Sequence, residues 1–218
     1  MSDVERLFSE VYHANIWNST ESRSGEGSSA EAARHLVREL PGLLRRFGVA
    51  SVLDVPCGDF NWMHDVHLDG VDYVGGDIVP DLIARNQAEF ERPGRRFLVL
   101  DLVEGPLPRA DLVLSRDCFI HLTLPMIFSA LGKIVDSGAS YLLTSHFPWR
   151  EIVNNYDIDE ILVGGRRVNF EVAPFGLPHP LASIPEAPPQ DGVEDKCMAL
   201  WRTEDVRAML DSAHRGRR

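Results

Sequence analysis

Residues Ser51 to Trp62 read SVLDVPCGDFNW, and they hold the most informative local pattern in the chain. The first part is a short apolar run, which has the composition of a fully buried strand. The chain then turns at Pro56-Cys57-Gly58 and passes Asp59 into an amphipathic segment that is predicted to be helical. A strand that ends in a glycine-containing turn and leads into a helix forms the ligand-binding corner of a doubly wound α/β sheet. Gly58 would let the backbone approach a ligand closely because it carries no Cβ.

The chemistry of this corner favours a cationic ligand. A dinucleotide site needs three glycines here, so that a pyrophosphate can reach the N-terminus of the helix. Pro56 and Phe60 stand where the first and third glycines would be, and Asp59 adds a negative charge where a phosphate needs none. Taken alone, the same turn is equally consistent with an ordinary strand-to-helix connection.

The motif is the first of a series in which an acid ends each predicted strand. The later members are Val71–Ile78, with Asp77, then Phe97–Leu102, with Asp101, and a fourth run from Ala110 to Asp117. An acid at the end of the second strand, roughly 20 residues after the glycine turn, is where a ribose diol is held. The series is much more specific than any one member.

Taken together, these motifs resemble those of class I S-adenosylmethionine-dependent methyltransferases. The chain is similar to small bacterial members that carry a PCGD motif, here Pro56–Asp59, and an ESxSGxGS segment, here Glu21–Ser28. An RDxxxHL motif follows the fourth strand at Arg116–Leu122. The likeness covers nearly the whole chain and extends to actinobacterial sugar and polysaccharide O-methyltransferases, including those that act on methylated mannosides. The departures are Pro56 and Phe60, which replace glycines.

The predicted fold is an α/β, Rossmann-like doubly wound sheet of seven strands, mostly parallel with an antiparallel C-terminal ending, and with helices on both faces. Residues 1–48 are expected to form N-terminal helices and a lid that covers the cofactor. Residues 49–218 are expected to form the methyltransferase core, with a substrate loop around 147–195. The last two strands are predicted at Val168–Val172 and Cys197–Trp201, and they must be antiparallel because no crossover helix joins them.

The resemblance implies that S-adenosylmethionine lies at the carboxyl ends of the early strands. Asp77 would accept from the ribose hydroxyls, Asp101 and Leu102 would flank the adenine, and Asp54 would pair with the ammonium. Arg23 in the lid could hold the cofactor carboxylate as a bidentate partner. The residues expected to contact the cofactor are Trp17, Arg23, Asp54, Pro56, Gly58, Asp59, Trp62, Asp77, Ile78, Asp101, Leu102 and Arg116.

Three residues are candidates for catalysis. An alcohol acceptor must lose its proton, and histidine is the usual base near neutral pH. His146, just past the fifth strand, is the first choice. His121 lies four residues after Asp117 and would share its side of a helix, although a histidine there is more often structural. Asp117 and His146 could instead hold Mg²⁺, but this ion prefers oxygen ligands and the sequence shows no compact metal-binding motif.

Composition limits the partners and the compartment. The 218 residues carry a formal charge of −11, which repels nucleic-acid backbones. The three cysteines are widely spaced, as expected in a reducing cytoplasm. The N-terminal residues lack the pattern of a signal peptide, and no apolar run approaches membrane-spanning length. A cytoplasmic protein without nucleic-acid or membrane partners is therefore expected, and a homodimer is compatible with the sequence.

The expected function is O-methylation of a small hydroxylated acceptor, a sugar or glycoside such as a mannoside. The sugar follows from the resemblance and not from spacing or composition. Three alternatives stay open: N-methylation of a small amine, an NAD-dependent oxidoreductase on a related sheet, and a non-catalytic subunit that binds S-adenosylmethionine.

Overall fold

The strands of the chain form one sheet in the spatial order β3-β2-β1-β4-β5-β7-β6. The computed structural model describes residues 2–148, 154–161, 163–186 and 196–216. Strands β1 to β5 are parallel, β7 is antiparallel to β5, and β6 is antiparallel to β7. The predicted seven-stranded sheet is therefore confirmed. The strands are β1 (Ser51–Asp54), β2 (Asp72–Asp77), β3 (Arg95–Val99), β4 (Leu112–Ser115), β5 (Tyr141–His146), β6 (Ala182–Pro185) and β7 (Cys197–Arg202).

Helices cover both faces of the sheet. Serine or threonine side chains cap the N-termini of three of them, because their oxygens accept hydrogen bonds from the first turn: Ser2, Ser29 and Thr123. The second helix continues through Pro41, where the sequence predicts a kink or a break. The helices are α1 (Asp3–Ala14), α2 (Ala30–Arg46), α3 (Pro80–Phe90), α4 (Leu124–Asp136) and α5 (Thr203–Gly216).

The central strands are apolar on both faces because each face is covered by helices. Successive side chains of a strand point to opposite faces. Leu53 and Val113 therefore join the core that contains the inner side of α4, whereas Val52 and Leu112 join the core that contains the inner side of α2. The face of the sheet on which a side chain lies therefore decides which strand-end side chains can reach a common site.

The structure corrects two predicted elements. The strand expected at Val168–Val172 is irregular, and the edge strand is β6, which lies within the predicted loop. Val168 and Phe170 are fully buried, as in a strand, but the Phe170 N–H donates to the His146 ring and not to a strand partner. The helix expected after Gly58 is only a 3₁₀ turn at Met63–Asp65.

The helices also bear on the question of membranes. Within the described ranges, every helix is too short or too polar to cross a lipid bilayer.

Candidate active site

A cavity of about 610 Å³ opens at the carboxyl ends of β1, β2 and β4. This volume is typical of small-molecule sites. Its roof is formed by α1 and by residues 21–28, which we call the lid segment. Most of the residues expected to contact the cofactor line this cavity, namely Trp17, Arg23, Asp54, Pro56, Gly58, Trp62, Asp77, Ile78, Asp101, Leu102 and Arg116.

Asp77, at the end of β2, holds the turn that follows β1. One carboxylate oxygen accepts from the Gly58 N–H at 3.1 Å, and the other accepts from the Val79 N–H at 3.1 Å. Burial raises the pKa of Asp77 to about 6, although these backbone donors oppose the shift. The carboxyl group thus lines the cavity in a poorly solvated position.

Asp54, at the end of β1, is a second buried carboxyl group in the same place. The Tyr73 hydroxyl donates to Asp54 Oδ2 at 2.6 Å. Burial is the main reason why the pKa of Asp54 rises to about 7, and the nearby charge of Asp77 adds to the effect. Neither Asp54 nor Asp77 forms a salt bridge with another side chain of the described residues. A cationic or hydroxyl-rich ligand would stabilise both groups.

Asp59 has a role different from the expected one. Its carboxylate is buried and accepts from the Ser22 hydroxyl at 2.9 Å and from the Arg23 N–H at 2.7 Å. The Ser24 hydroxyl also contacts it at 3.2 Å and accepts from the Asp59 N–H at 2.9 Å. Asp59 does not line the cavity, so the structure does not support its prediction as a cofactor contact. It fastens the lid segment to the glycine turn.

The PCGD and ESxSGxGS motifs are therefore two halves of one hydrogen-bonded structure. Gly58 has a φ of +55°, and a Cβ at this position would lie 2.3 Å from Ser24 Oγ. The close approach of the lid segment therefore favours a glycine at this position. Asn61 extends the contact because its amide donates to Glu21 Oε1 at 2.7 Å and to the Ser28 carbonyl at 2.9 Å.

Arg23 in the lid segment and Trp17, which precedes it, make contacts that sequence patterns do not reveal. The Arg23 guanidinium lines the cavity, but its Nη1 donates to the carbonyls of Tyr12 and His13 at the end of α1. The Trp17 indole N–H donates to the Val163 carbonyl at 3.0 Å. The lid segment therefore contacts the glycine turn, and Trp17, which precedes the lid segment, contacts the segment around residue 163.

Arg116 and Asp117, after β4, belong to a buried ionic network. The Arg116 guanidinium donates to Glu186 at 2.6 Å and to the Gly27 carbonyl at 2.8 Å. Lys196 donates to Asp117 Oδ2 at 2.7 Å and lies 3.0 Å from Glu186. Burial alone would raise the pKa of Asp117, but Arg116 and Lys196 hold it below its usual value. Glu186 lies 70 positions from Arg116, and Lys196 lies 79 positions from Asp117, so sequence reasoning missed both.

His146 does not line the cavity. It is 1% exposed, its Nδ1 accepts from the Phe170 N–H at 3.2 Å, and its Nε2 lies 3.1 Å from Glu171. The acceptor role of Nδ1 assigns the ring proton to Nε2, which then donates to Glu171. Burial lowers the pKa of His146, although Glu171 opposes the shift. These contacts do not support His146 as the base.

The side-chain alternation of β5 explains this placement. Ser145 faces Asp117 and donates to its carboxylate at 3.0 Å, so His146 must face the other side of the sheet. There it packs against Trp201 and Phe170. The side chain of His146 therefore points away from Asp117, and this geometry does not support the predicted metal pair. In the described part of the chain, no group of three or more His, Cys, Asp or Glu side chains could hold a metal ion.

His121 does line the cavity. It lies in a turn and not in the expected helix, because Asp117 adopts a φ of +53° and the chain coils irregularly up to α4. Its ring centroid is 5.9 Å from that of Trp17 and 6.2 Å from that of Phe8. Asp117 lines the same cavity, so the structure brings two of the three catalytic candidates together.

Two other acids at the sheet edge have local structural contacts. Asp101 Oδ1 accepts from the N–H groups of Val103 at 2.8 Å and Glu104 at 3.1 Å, while the residue still lines the cavity. Asp111, which lies just before β4, accepts from the N–H groups of Ala50 and Ser51, each at 2.9 Å. Asp111 holds the beginnings of β1 and β4 together, as its position in the sequence indicates.

Comparison with known proteins gives information on the fold of this chain. No protein-family model matches the sequence, and no curated protein sequence gives a significant match. Among solved structures, magnesium protoporphyrin IX methyltransferase of Synechocystis, with bound S-adenosylmethionine, is similar at a TM-score of 0.63. The two chains are 10% identical, and the match covers 93% of this chain and 98% of that one.

Two other methyltransferase structures are similar over most of the chain. The 1,6-didemethyltoxoflavin-N1-methyltransferase of Burkholderia thailandensis matches with a TM-score of 0.57 and 17% identity, covering 91% of this chain and 86% of that one. A TehB-like S-adenosylmethionine-dependent methyltransferase of Corynebacterium glutamicum matches with a TM-score of 0.55 and 21% identity, covering 89% and 97%. The chain therefore has the Rossmann-like fold of class I S-adenosylmethionine-dependent methyltransferases.

Proposed function

We propose that this chain is an S-adenosylmethionine-dependent methyltransferase that acts on a small acceptor. The observation that carries the proposal is the pair of buried carboxyl groups, Asp54 and Asp77, beside Gly58 in the cavity. Both have pKa values raised by burial and neither has a salt-bridge partner in the described residues. A cation or a set of hydroxyl donors would compensate them, whereas a phosphate would add repulsion.

The residues of the cavity fit the cofactor. Asp77 would hold the ribose hydroxyls, Asp54 the ammonium, and Asp101 with Leu102 the adenine. When bound, S-adenosylmethionine supplies an electrophilic methyl group on a positively charged sulfur. The lid segment would exclude water from the site, because Asp59 holds three consecutive lid residues over the glycine turn.

We further propose that the acceptor reacts through a hydroxyl group and that His121 removes its proton. His121 is the one histidine among the described residues that line the cavity. The indole of Trp17 lies beside it and offers a surface on which a ring of the acceptor could stack. Histidine is suited to this role near neutral pH. The likeness of the motifs to sugar O-methyltransferases supports a sugar or glycoside, such as a mannoside, as the acceptor.

The first test separates the proposed cofactor from a nicotinamide. Calorimetric titration of the protein with S-adenosylhomocysteine should show one binding site per chain, and titration with NAD⁺ should show none. The Asp77→Asn variant should weaken the binding of S-adenosylhomocysteine. Saturable NAD⁺ binding without S-adenosylhomocysteine binding would contradict the proposal.

The second test addresses the acceptor and the base. The protein is incubated with cofactor labelled in the methyl group and a panel of glycosides and small amines, with and without EDTA. Label is expected on a hydroxyl oxygen of a glycoside, and His121→Ala should lower kcat by about 100-fold or more. His146→Ala serves as the matched control because its ring does not line the cavity. Label on amines would replace the O-methylation proposal with N-methylation.

A further inference from the structure

One side of the cavity has an electrostatic character different from that of the strand ends. Residues 163–167 lie against the turn that follows β4, since the Arg166 N–H donates to the Ile120 carbonyl at 2.9 Å. Trp17 joins this side through its bond to the Val163 carbonyl. We call Trp17, Ile120, His121 and residues 163–167 the acceptor wall. Its charged side chains are basic, in contrast to Asp54 and Asp77 at the strand ends.

Arg166 is a buried arginine with incomplete hydrogen bonding. The residue is 7% exposed and lines the cavity. Its Nη1 donates to the Leu122 carbonyl at 2.6 Å. Its Nε and Nη2 are buried and have no hydrogen-bond partner in the described part of the chain. One whole edge of the guanidinium group is therefore unpaired.

An unpaired edge of this kind is costly. A buried polar donor that is left unsatisfied destabilises the folded state, and the effect is larger for a charged group. The aromatic ring of Tyr156 lies 5.8 Å from the guanidinium carbon and does not replace the missing acceptors. Asp157, an acid whose charge acts on Arg166, accepts through Oδ1 from the N–H groups of Leu124 at 2.7 Å and Ile158 at 2.8 Å. Burial lowers the pKa of Arg166, and Tyr156 and Asp157 oppose this shift only in part.

The unpaired atoms define the ligand that would satisfy them. Nε and one terminal nitrogen form a planar fork whose two N–H groups are parallel, which matches the two oxygens of a carboxylate or a phosphate. A neutral hydroxyl would accept from only one of the two donors. Arg166 and His121 line the same cavity, so an anionic group bound by Arg166 would belong to the same molecule that presents its hydroxyl to the histidine.

We propose that the acceptor is an anionic hydroxy compound, and that Arg166 binds its carboxylate or phosphate group through the Nε and Nη2 edge. The inference rests on the proposed methyltransferase function and narrows its acceptor class from hydroxylated molecules in general to those that also carry a negative charge. A sugar acid, a phosphorylated sugar, or a glycoside that carries a carboxylate or a phosphate fits this description.

Calorimetry with defined anions tests the inference separately from catalysis. Glucuronate, glycerate and glucose 6-phosphate are titrated into the protein with and without saturating S-adenosylhomocysteine, and glucose and glycerol are the uncharged controls. At least one anion should bind at least about tenfold more tightly than its uncharged control, and carboxylate and phosphate sources are distinguished by which anions bind. Arg166→Gln should abolish this preference and leave the affinity for S-adenosylhomocysteine unchanged.

Two variants keep the test decisive. Arg166→Lys retains the charge and a donor for the Leu122 carbonyl but lacks the fork, so it should fold and lose most of the preference. Arg95→Gln is the matched control because Arg95 is also 7% exposed and stacked on an aromatic ring, Phe60, but does not line the cavity. Absence of any preference for anions in the wild-type protein, or an equal preference in Arg166→Lys, would overturn the inference. Failure of S-adenosylhomocysteine to bind would instead remove the proposed function.

Discussion

Two sets of carboxyl groups lie at the carboxyl ends of the strands, and they differ in burial and in what surrounds them. Asp54 and Asp77 end β1 and β2, have raised pKa values, and lack salt bridges within the described residues. Asp117 follows β4, contacts Arg116 and Lys196, and has a lowered pKa. An added positive charge would stabilise Asp54 and Asp77. Asp117 already has positive charges beside it, those of Arg116 and Lys196. Position at a strand end therefore does not by itself identify a ligand-binding acid.

The largest expected effect is on the pH dependence of stability without cofactor. The pKa of Asp54 rises from 3.8 to about 7 on folding, so its contribution to stability is present below pH 3.8 and is lost as the pH rises to about 7. At about 1.4 kcal/mol per pKa unit, the loss is on the order of 4 kcal/mol. Asp54→Asn should remove most of it, as measured by urea unfolding at several pH values between 4 and 8.

The two sets of acids contribute to stability in opposite pH ranges, so Asp117 provides the control for this measurement. Asp117 contributes stability above pH 3.8 that is lost only as the pH falls through its lowered pKa. Asp117→Asn should therefore leave the slope between pH 5 and 8 unchanged. An equal change of slope in both variants would show that the two sets do not differ as described.

The next effect is on cofactor affinity. Asp77→Asn should weaken the binding of S-adenosylhomocysteine by about 30-fold, because a hydrogen bond to a charged group contributes roughly 1.5–3 kcal/mol. Asp117→Asn, at the neutralised site, should change the affinity by less than about threefold. Calorimetry with S-adenosylhomocysteine provides both values, and a larger loss for Asp117→Asn would reverse the comparison.

A smaller effect is expected at the contact between the lid segment and the glycine turn. Gly58→Ala should destabilise the fold by more than the roughly 1–2 kcal/mol that a left-handed residue costs, since its Cβ would also meet Ser24 Oγ at 2.3 Å. Gly48→Ala is the control, because Gly48 has a φ of +64° and a Cβ there would meet nothing within 4 Å. Adding Ser24→Gly to Gly58→Ala should recover the excess loss in urea unfolding, and purely additive effects would contradict the contact.

The smallest effect concerns the ionic network of Asp117. Lys196→Gln should lower the free energy of unfolding by about 1 kcal/mol, because Arg116 still faces the carboxylate. The exposed pair of Arg85 and Glu89 provides the comparison, and Arg85→Gln should cost less than about 0.5 kcal/mol. Thermal unfolding at low and high salt measures both. A loss for Lys196→Gln no greater than that for Arg85→Gln would mean that the network is not specially stabilising.

The sheet could be predicted from the sequence because its central strands are buried on both faces and read as apolar runs that end in acids. The edge strand of the sheet could not be predicted in this way. Val168 and Phe170 alternate with polar residues as in a strand, but the backbone at Phe170 bonds to a histidine ring. Alternating burial fixes which side chains are inside, and it does not determine where the backbone hydrogen bonds go.

The site was predictable where its residues follow a strand end, as with Asp54, Gly58 and Asp77. The sequence did not show where the His146 ring lies, because a difference of one residue decides which face of β5 a side chain occupies. Contacts between distant segments, such as Glu186 with Arg116 or Arg166 with Leu122, leave no local pattern. The bond between the lid segment and Asp59 had a partial signal, since a serine-rich motif precedes α2 and an acid-containing motif follows β1.

The lid segment and the residues leading to it are attached at two points, one beside the proposed cofactor site and one beside the proposed acceptor site. Ser22 and Ser24 bond to Asp59 next to the proposed cofactor corner, and Trp17 bonds to the carbonyl of Val163 on the acceptor wall. A single opening movement of this segment would uncover both compartments at once. Spent cofactor and methylated product would then leave in the same event, and each turnover would require the chain to reform both attachments before the next pair of substrates could react.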